Sequence, residues 1–341
     1  MVATATPSAR ADEQAQGVVD RAIAAHGGHT IEQLGSIVQE WRTTDAGIFE
    51  SREPGPPWDF SQRWQGLAAD FESGRFAQAS IERAGGYEWI SGLILDGEAG
   101  YRVDYRTETY RTTTTAFDEA VLDMATWSPP VLLRWLSEDR QAISYGGRQE
   151  IDGLDADVVI VEMGGEKISV FVDIASGRIH ALERSYFDYD GTRVPMRFDY
   201  LGMATRNGLI YPERVEVWIH GFLARQGTLL EMQVGSTIDR YLHLPSTFRS
   251  MPNEPDEIRD FRIEKLADGV YFLGNGVMYQ LMVEFDDYVL ALDGCSGDVA
   301  RRIKATRELI PNKAFRYVLA SHHHNDHLHG LDDFARAGAR I

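Results

Sequence analysis

DVVIVEMGGEKISVFVDIASGRIHALERSYFDYDGTRVPMRFDYL, residues 157–201, is the stretch on which the fold turns. Over 157–162, 167–173, 180–186 and 196–201, apolar and β-branched side chains alternate with polar ones. That period of two puts alternate residues on opposite faces of a strand. Ala175-Ser176-Gly177 and Asp190-Gly191 supply turns between the runs. Connections this short join neighbours antiparallel, so the stretch reads as a meander. Strand patterns at 214–220 and 228–238 continue it, and 36–43, 86–90 and 101–110 carry the same Trp, Tyr, Phe, Val and Thr signature upstream. The expectation is one large, twisted antiparallel sheet with helices covering one face and a concave trough on the other.

Two helical stretches supply the cover. Over 13–26, Val18, Val19, Ala22, Ile23 and Ala25 share one helical face, and Gly27-Gly28 supplies the stop. Over 117–136, Val121, Leu122, Met124, Ala125, Leu132, Leu133 and Leu136 repeat at helical spacing, with Pro129-Pro130 breaking or restarting the helix as an insert or lid. Three motifs accompany these elements: His26-Gly27-Gly28, Val172-Asp173 with Ser176-Gly177 and Arg184, and Gly208-Leu209-Ile210-Tyr211-Pro212. With them, the region from about 12 to 243 resembles the half-barrel of outer-membrane lipoprotein-sorting carriers. In that family the concave face shelters acyl chains or other apolar ligands, so the resemblance implies an apolar trough. Folds of this kind host unrelated functions, which leaves a packing or substrate-presenting module as the plainer expectation.

With 341 residues, 43% hydrophobic and 25% charged, the chain has the make-up of a soluble globular protein of two domains. A net charge of -18 and the lack of a Lys/Arg-rich run argue against nucleic acid as a partner. No run approaches the ~20 apolar residues of a membrane-spanning helix. The single cysteine, Cys295, forms no internal disulfide and reads as structural. Ala9-Arg10-Ala11 has the form of a signal-peptide end, so a periplasmic or secreted location stands beside a cytoplasmic one. The polar stretch holding Pro252, Asn253, Glu254 and Pro255 reads as a linker. The expected segments are a disordered N-terminus or signal remnant at 1–11, the half-barrel domain at 12–245, the linker at 246–260 and a second domain at 261–341.

The second domain carries the candidate chemistry. Strand patterns at 261–266, 270–273, 279–285 and 288–292, a helix at 298–310 stopped by Pro311, and a buried strand at 315–320 lead into Ser321-His322-His323-His324-Asn325-Asp326-His327-Leu328-His329. That run holds five of the ten histidines. Alternation places His322 and His324 on one side of an extended segment, able to grip one ion, and the following turn lets Asp326 and His327 face a second. Imidazoles and a carboxylate without thiolates suit zinc in an open site.

The run fits the H-x-H-x-D-H signature of the metallo-β-lactamase superfamily, and 266–272, 288–293 and 315–318 resemble its opening strands. The resemblance covers the last quarter of the chain. It implies that His322 and His324 bind a first Zn2+ and Asp326 and His327 a second. Asp326 would be the catalytic residue that orients or deprotonates a bridging hydroxide attacking an ester, thioester, amide or lactone carbonyl. His323 and His329 are expected to be non-ligands. His26, His29, His180, His220 and His243 are read as surface or packing residues, and Asp293 as either a support for a ligand imidazole or a turn former. The fold class expected is α+β: an antiparallel half-barrel with covering helices, then the first half of an αββα sandwich. The superfamily's remaining ligands have no counterpart in the chain, so a fragment with an incomplete site is expected and its activity stays open. The alternative is a non-enzymatic periplasmic carrier of an apolar ligand held in the half-barrel. In either case the partner is a small molecule.

Overall fold

The computed structural model describes residues 9–48, 51–53, 55–140, 142–187, 193–252, 262–274, 279–295 and 299–341. The Asp190-Gly191 turn, the linker residues 253–260 and the N-terminal residues 1–8 lie outside the described residues. The chain divides into two compact units. The first is Met1–Ala46, Phe60–Tyr186 and Val194–Met251, and the second is Gly47–Asp59, Phe187–Arg193 and Pro252–Ile341.

The elements run, in order, α1 (Ala9–His26), α2 (His29–Glu32), β1 (Ser36–Ala46), β2 (Phe60–Asp70), β3 (Arg75–Ala84), β4 (Tyr87–Asp96), β5 (Ala99–Asp104), β6 (Thr109–Thr112), α3 (Phe117–Trp127) and α4 (Pro129–Glu138). They continue with β7 (Ile143–Ile151), β8 (Leu154–Met163), β9 (Glu166–Asp173), β10 (Ile179–Phe187), β11 (Arg193–Arg206), β12 (Leu209–Ile219), β13 (Phe222–Val234) and β14 (Arg249–Ser250). All fourteen strands form one sheet, ordered β14-β6-β5-β4-β3-β2-β1-β13-β12-β11-β10-β9-β8-β7. Its registered pairs are antiparallel except for the parallel edge pair β14–β6.

One face of this sheet is covered by α1, α3 and α4. Ile37, Trp41, Leu67, Ala69, Phe76, Val159, Val161, Val170, Val172, Val215 and Val217 meet Val18, Val19, Ala22, Ile23, Val121, Leu122, Met124, Ala125, Trp127, Leu132, Leu133 and Leu136 in a single core cluster. Two smaller clusters lie elsewhere, one of Val38, Ala68, Ala77 and Ile238, the other of Ile151, Ala156, Val158, Phe171 and Ala181. The helical insert breaks at Ser128, where Pro129 and Pro130 open α4 at the positions that need no backbone donor.

The motifs that suggested a half-barrel meet one another here. The His26 Nδ1–H donates to the Ile210 carbonyl at 2.7 Å, and Nε2 accepts the Ile179 amide at 3.0 Å. A Cβ on Gly27 would stand 2.6 Å from the Gly208 carbonyl oxygen, so only glycine lets the end of α1 approach the β11–β12 turn this closely. At that turn Asn207 and Gly208 both take positive φ, as a two-residue hairpin turn requires. These residues are thus packing and turn chemistry.

The second unit holds β15 (Arg262–Ala267), β16 (Val270–Gly274), β17 (Tyr279–Glu284), β18 (Tyr288–Leu292), α5 (Val299–Leu309), β19 (Ala314–Leu319), α6 (Asn325–Leu328) and α7 (Leu331–Arg336). Its five strands lie in sequence order, with β18–β19 parallel across α5. Val299 and Ile303 of α5 and Phe334 of α7 pack with Leu273, Met282, Val289, Ala291, Phe315 and Val318 in a separate core.

The expected fold class is corrected by this architecture. The described residues are mostly β, in strands far more than in helices, instead of α+β. Among the described residues the second unit is one five-stranded sheet with helices, and nothing supports its being part of a metallo-β-lactamase αββα sandwich. The first unit also holds more strand than the pattern revealed. FSQRWQGLAAD (β2) and RFAQASIERA (β3) are too rich in Ala, Gln and Arg to alternate clearly, and they become strands because both their neighbours are strands.

Candidate functional site

The histidine turn follows β19. The Asp293 carboxylate accepts the Ser321 amide at 2.6 Å and lies 3.0 Å from His327 Nδ1. Partial burial works against its charge, yet Ser321 and His327 hold its pKa below the usual carboxylate range. Asp293 itself takes φ 68°, and its carbonyl accepts a hydrogen bond from Gln280 Nε2. The turn therefore starts from a strained residue fixed on both sides. Asp293 acts on the His327 ring, one of the two roles its sequence position suggested.

The structure does bring the predicted side chains together. The His322 ring centroid is 4.5 Å from that of His324 and 4.1 Å from that of His327, and Asp326 Oδ2 is 3.5 Å from His327 Nε2. Two of the rings hydrogen-bond to protein groups, whereas among the described residues Asp326 Oδ1 is buried without a hydrogen-bond partner and His327 Nδ1 lies near Asp293 without forming a hydrogen bond of ordinary geometry. His322 Nδ1 is 2.9 Å from Ser321 Oγ, and His324 Nε2 donates to the Ser51 carbonyl at 3.2 Å. Partial burial and the neighbouring His327 and His324 lower the pKa of His322. Among the described residues no group of three or more His, Cys, Asp or Glu side chains is placed to hold a metal ion. The metal-binding hydrolase centre expected from this run is corrected accordingly: the turn is a cluster of imidazoles in which His322 meets the Ser321 hydroxyl, His324 the Ser51 carbonyl, and His327 lies beside the Asp293 carboxylate.

His26, His180 and Cys295 lie within the fold's own contacts. His26 is fully buried, and desolvation lowers its pKa to about 4. His180 lies 3.1 Å from Asp152. Cys295 is buried, its thiol donates to the Tyr279 carbonyl at 3.4 Å, and burial pushes its pKa up to about 11, so it is not a thiolate at neutral pH.

A different site emerges in the first unit, with no motif to announce it. A cavity of about 920 Å³ opens between β3–β6 and α3. Its floor consists of two cross-strand ladders. Gln78 pairs with Leu93, Leu93 with Arg102 and Arg102 with Arg111. Two residues along, Ser80 pairs with Ser91, Ser91 with Asp104, Asp104 with Thr109 and Thr109 with Arg249. All nine side chains line the cavity because the period of two returns each row to one face. Leu93, Ala120, Leu122 and Met251 add apolar surface, while Glu119 and Asp123 border it from α3. Arg184 donates to Glu166 at 2.7 and 3.0 Å and to Asp123 at 2.9 Å, one guanidinium shared by two carboxylates. An apolar trough was expected, whereas the open space here has mixed lining. No helix among the described residues is long and apolar enough to cross a membrane.

No family model and no curated protein matches this chain. Solved structures similar to it include a LolA-superfamily protein from Nitrosomonas europaea, 10% identical, covering 67% of this chain and 97% of that one with a TM-score of 0.44. An outer-membrane lipoprotein-sorting protein domain from Vibrio parahaemolyticus is 10% identical over 67% of this chain and 95% of its own, with a TM-score of 0.42. A DUF1329-family protein from Desulfovibrio piger is 9% identical over 67% and 97%, with a TM-score of 0.34. The first two of these neighbours are of the lipoprotein-sorting kind, and no similarity supports a metallo-β-lactamase domain.

Proposed function

We propose that the first unit is a non-enzymatic carrier that holds an amphiphilic small molecule in the β3–β6 cavity. The observation that supports this reading is the cavity itself. Its volume of about 920 Å³ lies within the range of small-molecule sites, and its lining combines an apolar patch with ordered polar rows. Leu93, Ala120, Leu122 and Met251 would receive the apolar part of the ligand, while the hydroxyls of Ser80, Ser91 and Thr109 and the Gln78 amide would meet its polar part. Such a module sequesters its ligand and performs no chemistry on it. Export to the periplasm belongs to the same proposal, with the Ala9-Arg10-Ala11 triplet in its favour, and cell fractionation of the tagged protein tests it.

Displacement of an uncharged fluorescent apolar probe, N-phenyl-1-naphthylamine, tests the carrier reading. Saturable uptake is expected in the wild-type protein. The variant Ser91→Trp, which puts an indole into the cavity from an exposed position, is expected to abolish uptake without lowering the melting temperature. Uptake that does not saturate, or that survives Ser91→Trp unchanged, would refute it.

A further inference from the structure

We infer that the cavity contains an oxyanion subsite formed by Arg102, Arg111 and Arg249, so that the ligand of the proposed carrier is an amphiphile with an anionic headgroup. This rests on the carrier reading and deepens it. Arg102 and Arg111 are directly opposed across the β5–β6 pair, and Arg249 follows on β14, opposite Thr109, two residues from Arg111. Like charges facing each other across a strand pair repel, and a sheet ordinarily avoids them or neutralises them with a carboxylate. Here none of the three forms an ion pair among the described residues, and Arg102 Nη2 donates to the neutral Thr115 Oγ1 at 3.1 Å.

The acidic groups on the cavity wall are mostly committed elsewhere. Asp123 and Glu166 share Arg184. Asp104 accepts the backbone amides of Arg106 and Thr107 at 2.9 and 3.1 Å. Glu119 is the one lining carboxylate without such a commitment, so the lining sets four arginines against four carboxylates, in a protein whose net charge is -18. A cluster of cations against so acidic a background marks a place where charge is held for use. Guanidinium groups present planar paired donors that match carboxylate and phosphate oxygens, and Thr107, Thr109 and Thr115 supply hydroxyls beside them. The chemistry shared by candidate headgroups is that of an oxyanion, with the apolar tail lying toward Leu93 and Leu122.

Calorimetric titration with matched probes separates this inference from the reading beneath it. Dodecyl phosphate, an uncharged dodecyl oligoethylene glycol ether and inorganic phosphate are compared on the full chain and on the double variant Arg111→Gln/Arg249→Gln. The wild type is expected to prefer dodecyl phosphate over the ether by roughly tenfold, since charge-assisted hydrogen bonds at a partly exposed site are modest. That preference should shrink with added salt. The double variant should lose it while ether affinity and melting temperature stay unchanged. Equal wild-type affinity for both amphiphiles, or a preference that survives the double variant, overturns the oxyanion subsite and leaves the carrier standing. Phosphate that binds the wild type and not the double variant, with neither amphiphile bound, upholds the subsite for free oxyanions and overturns the carrier. Binding of none of the three overturns both.

Discussion

His26 is held neutral by its surroundings. It is buried, donates from Nδ1 to Ile210 and accepts from Ile179 at Nε2, an arrangement that a doubly protonated ring would break. Its folded pKa of about 4 lies below the ordinary 6.5, so the unfolded chain takes up a proton first as pH falls. Stability is complete above pH 6.5 and declines toward pH 4, by about 3 kcal/mol from this group. Denaturant melts of the wild type and His26→Gln between these limits should show the steep pH dependence only in the wild type. The variant should also lose about 2 kcal/mol at neutral pH, because it cannot satisfy both backbone groups. Asp293→Ala makes a second case. It removes the acceptor for the Ser321 amide and places alanine at a φ of 68°, so a loss of about 2 kcal/mol is expected in the second unit. Amide exchange at Ser321 reads it directly. The sequence showed the histidines of 322–327 to be a group, and they are one. Asp293 beside His327 was among the roles its sequence position offered, whereas the Ser51 carbonyl that His324 reaches was invisible, because Ser51 comes from a distant part of the chain.

At the scale of elements, the seating of α3 depends on one glycine. Gly227 of β13 lies between Thr43 of β1 and Val215 of β12, and a Cβ there would overlap the indole of Trp127. That indole packs 5.4 Å from Trp41 and 6.1 Å from Phe198, ring centre to ring centre, so it has little room to yield. Gly227→Ala is expected to cost about 2 kcal/mol in thermal or denaturant unfolding, and Trp127→Leu in the same chain to recover part of it. A second expectation concerns the opposite end of α3. Glu119→Gln removes the uncommitted carboxylate of the cavity wall and should tighten dodecyl phosphate binding by about threefold without changing ether binding. Helices 13–26 and 117–136 and their proline break were legible because their apolar spacing is regular. The ladders through Arg102, Arg111 and Arg249 were not, since cross-strand neighbours depend on a register that no local pattern states.

For the whole molecule, each compact unit possesses its own hydrophobic core, one built on Trp41, Trp127 and Phe198 and the other on Phe315, Phe334 and Met282. Separate cores unfold as separate cooperative units, so calorimetry should resolve two transitions. His26→Gln and Gly227→Ala should lower one of them, and Asp293→Ala the other. A single transition displaced equally by all three variants would contradict that division. By itself the sequence determined the predominance of strands over 157–238, the helices that cover them, a strand-rich segment after residue 260 and the clustering of histidines at 322–327, because each of these is written in local periodicity or adjacency. Only the tertiary structure decided that the second unit is one five-stranded sheet with helices, that His324 reaches the Ser51 carbonyl and His327 lies beside Asp293, and that three arginines share a cavity. Those outcomes depend on which distant strands pair and in what register, and pairing is settled by the packing of whole faces against one another.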